Sequence, residues 1–239
     1  MKIYSVGGSV RDALLGVKSN DLDYVMVLDD TSLSLNEGYN IMKQYMLDEG
    51  FTIFLETPEM VTIRGRFPKG HKHEGNTGDF VLARKEVGYE PNTRRPILEL
   101  GTLCDDLVRR DFTINAMAED EDGNIIDYFK GKEDLDDKLL RTPQPALITF
   151  HDDPLRLLRA IRFHIIKRLY LSIEVRGVMS DPQLLSKLKE VVSQERIRDE
   201  VLKMMKFDTI QTIKVLTKFN LLDVCFGGDM WLEPTFKAK

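Results

Sequence analysis

The sequence predicts an α+β protein, with a small mixed sheet in its first half and helices alone in its second half. Residues 1–127 alternate short strand-like and helix-like segments, which are separated by stretches rich in Gly, Pro, Asn and charge. From residue 131 onward the apolar residues recur only at helical spacing, and the chain contains no internal repeat. An α/β head followed by an all-α domain is the simplest architecture that accommodates both patterns.

The first half alternates predicted strands with predicted helices. The strands are apolar runs at 3–6, 22–28, 51–55, 60–66 and 79–84, and the helices are 9–15 and 36–49. In the second helix we expect Ile41, Tyr45 and Met46 to lie on one side. The composition of residues 66–78 and 87–103 predicts mobile loops.

Helix-start signals organise the second half. An acid followed by proline at 153–154 predicts a helix over 153–169. The dipeptide Asp181-Pro182 predicts the start of another helix by the same reasoning. Two further helices are predicted, one from Ser193 through "IRDEVLKMM" and one over 208–219.

The composition indicates a globular protein of 239 residues, of which 42% are hydrophobic and 31% are charged. The formal net charge of -5 gives no global basic surface, so a nucleic-acid partner requires a local basic patch. Cys104 and Cys225 are too few for a disulfide framework, which favours a reducing compartment. No apolar run approaches ~20 residues, so we expect a cytoplasmic protein without a membrane partner.

Two acids stand at the start of the predicted strand 22–28. Asp21 and Asp23 are two residues apart, so on a strand both side chains leave the same face. Two carboxylates on one face repel each other unless a cation lies between them, and Mg²⁺ binds such oxygens together with substrate phosphates. A solvated strand end, where aspartate is common, would explain the pair equally simply.

A glycine turn precedes these acids. Gly7 and Gly8 lead into a short helix, where backbone N–H groups and the positive helix end can meet an anion. Arg11 and Lys18 add positive charge nearby. Glycines also permit tight turns without any ligand. A phosphate-binding turn beside a two-carboxylate strand nevertheless indicates a site where a metal-bound triphosphate meets an attacking hydroxyl.

A row of polar side chains follows the predicted helix 153–169. Residues three apart are neighbours on a helix, and four of them wind over ~13.5 Å of helix axis. That length is comparable to a nucleoside triphosphate lying across the helix. A solvated face laced with ion pairs would produce the same pattern. The four residues are Asp153, Arg156, Arg159 and Arg162.

Three sequence blocks resemble successive signatures of the bacterial-type tRNA nucleotidyltransferase and poly(A) polymerase family, which belongs to the polymerase-β-like nucleotidyltransferase superfamily. The blocks are "GGSVRDALLG…DLD", "LVRRDFTINAMAED…GNIIDYFKGKEDL" and "DDPLRLLRAIRF". The resemblance covers residues 1–205 and implies a catalytic head with a small mixed sheet over 1–130. It also implies an all-α neck domain over 131–239, in a short form that lacks most of the family's body and tail.

The resemblance implies a reaction as well as a fold. A tRNA 3′ hydroxyl attacks the α-phosphate of CTP or ATP and releases pyrophosphate, so that the terminal CCA is added or repaired by two-metal-ion catalysis. Asp21 and Asp23 take the positions of the metal ligands, with Mg²⁺ as the implied cofactor. Gly8 and Arg11 take the positions of nucleotide contacts. Asp79 is the candidate third carboxylate, although an ordinary strand-start aspartate would look the same.

The resemblance also assigns the remaining nucleotide contacts. Arg110, in "RRDFTINAMA", is implied to contact the bound nucleotide. Asp153 and Arg156 take the positions of a base-reading pair: the carboxylate accepts the exocyclic amino group of cytosine or adenine, and arginine donates to the adjacent ring nitrogen. Uracil and guanine would leave these groups unpaired. Arg159 and Arg162 are implied to lie along the ligand.

Several other segments fit the family pattern. Residues 87–99 match a flexible loop that assists the switch from CTP to ATP, although a plain surface loop would look similar. Residues 127–135 resemble the head–neck hinge, and residues 193–200 resemble a motif that supports the base-reading helix. Asp152 departs from the family's usual glutamate, and Asn115 is expected to be structural.

Two other functions stay open. A poly(A) polymerase or A-only-adding enzyme shares the chemistry, but residues 65–71, "GRFPKGH", match the expected Gly-basic-basic-Phe signature only faintly. An RNA-binding regulatory module on the same scaffold is the non-enzymatic alternative. The expected partners are the tRNA 3′ end, CTP and ATP, with a homodimer supporting weak, salt-sensitive tRNA binding. His71 and His73 suggest a chance loop cluster more than a metal site.

Overall fold

The computed structural model describes residues 1–19, 22–89 and 96–227. The chain divides into two compact units. Unit 1 comprises Met1–Arg110 and Ile114–Lys132, and unit 2 comprises Asp111–Thr113 and Glu133–Lys239. The predicted boundary at residue 130 places residues 111–113 in the head, whereas the structure groups them with unit 2.

Strands dominate unit 1. Its elements are β1 (Lys2–Val6), α1 (Gly8–Leu14), β2 (Asp23–Val27), α2 (Leu35–Asp48), β3 (Thr52–Thr57), β4 (Thr62–Arg66), β5 (Thr77–Leu82), β6 (Arg84–Tyr89), β7 (Pro96–Leu100), α3 (Leu103–Val108), β8 (Ala118–Glu119) and β9 (Ile125–Ile126). A seven-stranded sheet has the order β3-β4-β5-β2-β1-β8-β9. Its neighbouring strands are antiparallel, except that β2 and β5 are parallel. The prediction of a small mixed sheet is therefore confirmed.

Helix α2 supplies one of the two apolar cores of unit 1. Its N-terminus is fixed by a capping box between Ser34 and Glu37, and its buried side packs with β2, β4 and β5. The expectation for Ile41 is wrong, because that side chain is 42% exposed. The helical period instead buries positions one turn apart. The buried residues of α2 are Gly38, Tyr39, Met42 and Met46.

The second core lies on the other face of the sheet. Val6 of β1 and Val25 of β2 pack there with Leu103 and Leu107 of α3 and with Ala116. Side chains alternate between the two faces along a strand, so residue 23 shares this face with residue 25. The α3 side of the sheet is therefore the side that carries the first acid of β2.

The prediction of a loop over 87–103 is wrong for most of its described part. Strands β6 and β7 form an antiparallel hairpin, and α3 follows directly. Cross-strand pairing, including the ion pair between Lys85 and Glu99 at 3.2 Å, organises a segment whose charged composition resembles a loop. Residues 90–95 of the predicted switching loop lie outside the described residues. The chain from 67 to 76 forms turns between β4 and β5, as predicted.

Unit 2 is mainly helical. Its elements are α4 (Gly131–Asp136), β10 (Leu139–Leu140), α5 (Ala146–Asp152), α6 (Arg156–Ile166), β11 (Tyr170–Leu171), α7 (Ile173–Val178), α8 (Pro182–Val191), α9 (Gln194–Lys218) and α10 (Leu222–Phe226). The expectation of helices alone needs one correction, since β10 and β11 form a short parallel pair. No helix within the described ranges has the length and apolar character needed to span a bilayer.

The predicted helix starts in unit 2 are mostly confirmed. Asp181 and Ser193 cap α8 and α9 with their side chains. Within α9, Asp208 has a non-helical backbone (φ -154°, ψ 97°), and its carboxylate accepts the Gln211 N–H at 2.8 Å. This kink separates the two helices that the sequence predicts as one from 193 and one over 208–219.

The helix predicted over 153–169 is shorter than expected. Helix α5 ends at Asp152, residue Asp153 is extended (φ -137°, ψ 100°), and α6 begins only at Arg156. Pro154 explains the break, because proline disfavours a helical conformation in the residue before it. Asp153 therefore precedes the helix and does not share a helical row with the arginines.

Candidate active site

Two carboxylates lie side by side on the α3 face of the sheet. Asp23 of β2 and Asp79 of β5 are direct register partners in the parallel strand pair. Strands in a sheet are ~4.8 Å apart, and register partners project to the same face. The structure therefore brings the candidate third carboxylate next to one of the two predicted metal ligands. The other predicted ligand, Asp21, lies outside the described residues.

An arginine continues this row across the sheet. Arg64 of β4 is the register partner of Asp79, and its Nε and Nη2 atoms donate to the two carboxylate oxygens at 2.6 Å each. This hydrogen bonding raises the pKa of Arg64. Sequence reasoning missed Arg64, although its place in a strand two residues from Arg66 was visible. The ion pair partly balances the negative charge of the row.

The glycine turn meets this row at its other end. Gly7 has a left-handed backbone (φ 77°, ψ -133°). A Cβ atom at this position would lie 2.9 Å from Nη1 of Arg110 and 3.7 Å from Oδ2 of Asp23. Arg110 is held in place by Asp106, which accepts its Nη2 at 2.9 Å from one turn earlier in α3. Three features that the sequence assigned to one site therefore converge around a single glycine.

Arg11 is anchored beneath the same turn. It is buried, and it donates from Nη1 to Asn115 at 2.5 Å and from Nε to Asp12 at 2.9 Å. A Cβ atom at Gly8 would lie 3.4 Å from Nη2 of Arg11. These contacts hold the Arg11 side chain beside the turn that contains Gly8, and its predicted contact with a nucleotide stays a prediction. They also give Asn115 the structural role expected of it.

The α3 face has the donor chemistry of a divalent-cation site. Asp23 and Asp79 supply carboxylate oxygens, which are the ligands that Mg²⁺ prefers. The guanidinium of Arg110 lies near the same glycine as Asp23 and is a group that can pair with phosphate oxygens. Among the described residues, which omit Asp21, no three His, Cys, Asp or Glu side chains form a group able to hold a metal ion. The residues present therefore fit a metal that is also held by substrate phosphate and water.

Two arginines of α6 form ion pairs inside unit 2. Arg159 donates from Nε at 2.8 Å and from Nη2 at 2.5 Å to one oxygen of the buried Asp111. Arg162 donates to the buried Glu200 of α9 at 2.6 Å. These bonds join a charged donor to a charged acceptor, so they are stronger than hydrogen bonds between neutral groups. Both arginines of α6 for which nucleotide contacts are predicted therefore already pair with buried acids of unit 2.

The predicted base-reading pair is also held by protein contacts. The carboxylate of Asp153 accepts Nη2 of Arg196, at the start of α9, at 3.1 Å. Arg156 donates from Nη1 to the Thr149 carbonyl at 3.2 Å, and burial lowers the pKa of its guanidinium. Arg196 belongs to the segment 193–200, so one residue of that segment bonds to Asp153, while the base-reading role of Asp153 and Arg156 stays a prediction.

The two histidines of the β4–β5 turns belong to an aromatic cluster. His71 stacks on Phe67 with ring centroids 4.6 Å apart, and His73 lies 5.4 Å from the same ring. Burial lowers the pKa of both imidazoles, and Lys72 lowers it further. In the part of the chain that the structure describes, no group of three possible metal ligands includes them.

Comparison with known proteins shows the family to which this chain belongs. Residues 3–141 match the family described as the poly A polymerase head domain, and the chain belongs to that family. It is 40% identical over 204 residues to a CCA-adding enzyme of Lactobacillus johnsonii, covering 84% of this chain and 45% of that protein. It is 40% identical over 166 residues to a multifunctional CCA protein of Janthinobacterium sp., covering 68% of this chain and 34% of that protein. The predicted family is confirmed, and the chain spans less than half of these relatives.

Solved structures agree with the sequence relatives. A CCA-adding enzyme of Bacillus stearothermophilus in complex with CTP has a TM-score of 0.74 at 26% identity, covering 93% of this chain and 49% of that one. A CCA-adding enzyme of Thermotoga maritima complexed with tRNA has a TM-score of 0.71 at 26% identity, covering 95% and 48%. The predicted fold class, a polymerase-β-like head followed by a helical domain, is confirmed.

Proposed function

We propose that this chain is a template-independent tRNA nucleotidyltransferase that adds or repairs the 3′-terminal CCA from CTP and ATP and releases pyrophosphate. The observation that carries this proposal is the convergence of Gly7, Arg110 and Asp23 on one face, with Asp79 beside them. A turn, a cation and paired acids together suit a metal-bound triphosphate. The names of the relatives support the same reaction, although the chain covers less than half of their length.

Unit 1 supplies the residues for phosphate and metal. Asp21 and Asp23, with Asp79 as a third acid, would hold Mg²⁺. When bound, Mg²⁺ neutralises the triphosphate and lowers the pKa of the attacking hydroxyl. Arg110, oriented by Asp106, donates to phosphate oxygens. The backbone N–H of Gly8 donates to the same phosphate oxygens. Arg11 fixes the turn from which this N–H projects.

Unit 2 supplies the residues for base selection. The Asp153 carboxylate accepts the exocyclic amino group that cytosine and adenine share, and Arg156 donates to the neighbouring ring nitrogen. Arg159 and Arg162 donate to other polar atoms of the nucleotide. A uracil or guanine carbonyl would face a carboxylate, and the resulting unpaired groups would reject the wrong base. Arg196 keeps the carboxylate in position.

Incubation of tRNA lacking its terminal CCA with single nucleotides tests this function. With CTP alone we expect two cytidines to be added, and with CTP and ATP together we expect a complete CCA end. A run of adenosines from ATP alone would instead support the alternative of a poly(A) polymerase or A-only-adding enzyme. RNA binding without incorporation of any nucleotide would support the non-enzymatic regulatory module.

A double substitution tests the metal ligands. Asp21→Ala with Asp23→Ala should abolish incorporation and Mg²⁺ binding measured by calorimetry. The urea midpoint should not fall, because removing two like charges relieves their repulsion. The matched control, Asp136→Ala with Asp137→Ala, removes two exposed acids from the neighbourhood of α4 and should leave both readouts intact. Incorporation that persisted in the first variant would refute the assignment.

A further inference from the structure

A cavity of about 490 Å³ opens on the face of the sheet opposite the carboxylate row. Tyr24 and Phe80 form part of its wall, stacked with centroids 5.1 Å apart and 13° between the ring planes. They follow Asp23 and Asp79 directly in sequence, and successive residues of a strand project to opposite faces. The cavity is therefore separated from the proposed active site by the thickness of the sheet.

Six of the fifteen residues that line this cavity carry aromatic or imidazole rings. Phe67 lies 5.7 Å from Tyr24 and stacks on His71, while Phe51 meets Phe80 edge-on at 5.1 Å. Phe67 and Phe80 are almost fully buried, so they form a fixed floor. The faces of such rings carry negative potential and attract cations.

Carboxylates dominate the charged part of the cavity lining. Glu49, Glu119, Asp120 and Glu121 line it, against a single ammonium group from Lys72. Asp120 is committed to a turn, where its carboxylate accepts two bonds from Asn124 at 2.8 and 3.0 Å.

The other three acids of the lining have no such commitment. Within the described ranges, no hydrogen bond or ion pair holds the side chain of Glu49, Glu119 or Glu121. His71 adds little positive charge near neutral pH, because burial and Lys72 lower its pKa. The cavity therefore combines an aromatic floor with uncompensated negative charge.

We propose that this cavity binds a small organic cation, in which an ammonium or guanidinium head is carried on an aliphatic body. The aliphatic body would lie on the partly exposed rings of Tyr24 and Tyr45, and the head would reach Glu119 or Glu121. A nucleotide could stack on the same rings, but its phosphates would face four carboxylates and one lysine. The charge of the lining thus favours a cation over the nucleotide substrates of the opposite face.

Calorimetric titration of the full chain with spermidine at 0.15 M salt, without RNA or nucleotide, tests the site. Glu119→Gln should weaken spermidine binding about fivefold, since it removes one charge at close range without changing shape. Tyr45→Leu, which removes a partly exposed ring from the lining, should weaken binding about threefold. The matched control is Asp137→Asn, which removes an exposed acid of unit 2 that does not line the cavity and should change affinity less than about 1.5-fold, as screening predicts.

Two further titrations identify the source of the cation. Tighter binding of Nα-acetyl-argininamide than of spermidine supports an arginine side chain of a peptide as the ligand, and the reverse order supports a free polyamine. Absence of binding by both compounds overturns the proposal. The proposal is also overturned if all three variants bind spermidine as tightly as the wild type does, or if the wild type binds CMP more tightly than spermidine. None of these readouts depends on nucleotidyltransferase activity.

Discussion

Substitution of Gly7 by alanine tests whether the glycine turn holds the site together. The added methyl group would lie 2.9 Å from Nη1 of Arg110, and real Cβ atoms essentially never approach a neighbour below 3.0 Å. The backbone at φ 77° adds strain of about 1–2 kcal/mol for any residue with a side chain. Arg110 must therefore move or the turn must open.

The cost of moving Arg110 follows from its other contact. Its bonds to Asp106, at 2.9 and 3.2 Å, would be lost or stretched, and a charge-assisted hydrogen bond is worth about 1.5–3 kcal/mol. Partial exposure of the pair reduces that amount. We expect Gly7→Ala to lower the free energy of unfolding by about 2–4 kcal/mol and to lower kcat/KM for CTP by more than tenfold.

Urea unfolding and single-nucleotide incorporation measure the two effects. Gly16→Ala is the control, because Gly16 is also left-handed (φ 68°) but has no atom within 4 Å of the added methyl group. It should lose about 1 kcal/mol of stability and no activity. In an Arg110→Ala background the cost of Gly7→Ala should fall by about 1–2 kcal/mol. An equal cost in both backgrounds would refute the contact as the cause.

Four further experiments test other parts of the structure. Arg162→Ala removes the 2.6 Å bond to the buried Glu200 and leaves that carboxylate only the partly exposed Lys203 at 3.3 Å, so the free energy of unfolding in urea should fall by about 2 kcal/mol, and an unchanged midpoint would contradict this ion pair. At pH 8 a disulfide reagent should modify the exposed Cys104 but not Cys225, whose pKa burial raises to about 12, and two fast-reacting thiols would show that Cys225 is accessible. Because the folded Cys225 thiol keeps its proton while the unfolded thiol loses it above its ordinary pKa near 9, stability should fall from pH 9 toward 12. Asp208→Ala should cost about 1 kcal/mol by removing the cap at the kink of α9, whereas Asp208→Asn should cost less.

Local signals in the sequence predicted much of this fold. The capping residues Asp181 and Ser193 lie where the sequence places them, because a cap depends only on the few residues that follow it. The turn at Gly7 was equally visible in the sequence, because its positive φ angle is a local requirement that glycine meets without strain. Pro154 was visible too, but it ends one helix and delays the next, so the predicted helix start was wrong by several residues.

Contacts between distant residues could not be predicted in the same way. The hairpin of β6 and β7 depends on cross-strand pairing, which composition does not report. Arg159 pairs with Asp111, which lies 48 residues away, and Arg11 pairs with Asn115, which lies 104 residues away. The sequence marks these side chains as polar and leaves their partners unspecified. The candidate site was therefore predictable as a set of residues, but not as a network.

The ion pairs of unit 2 set a condition on any base-reading role for α6. Arg159 already donates to Asp111, and Asp153 already accepts from Arg196. A base that bonds to these groups must share or replace contacts that the protein already makes, so the net gain from each new hydrogen bond is smaller than its gross strength. A base with the wrong pattern would lose the existing contacts and gain nothing in return. Pre-existing pairing therefore reduces affinity for all bases while preserving the difference between them, and selectivity depends on that difference.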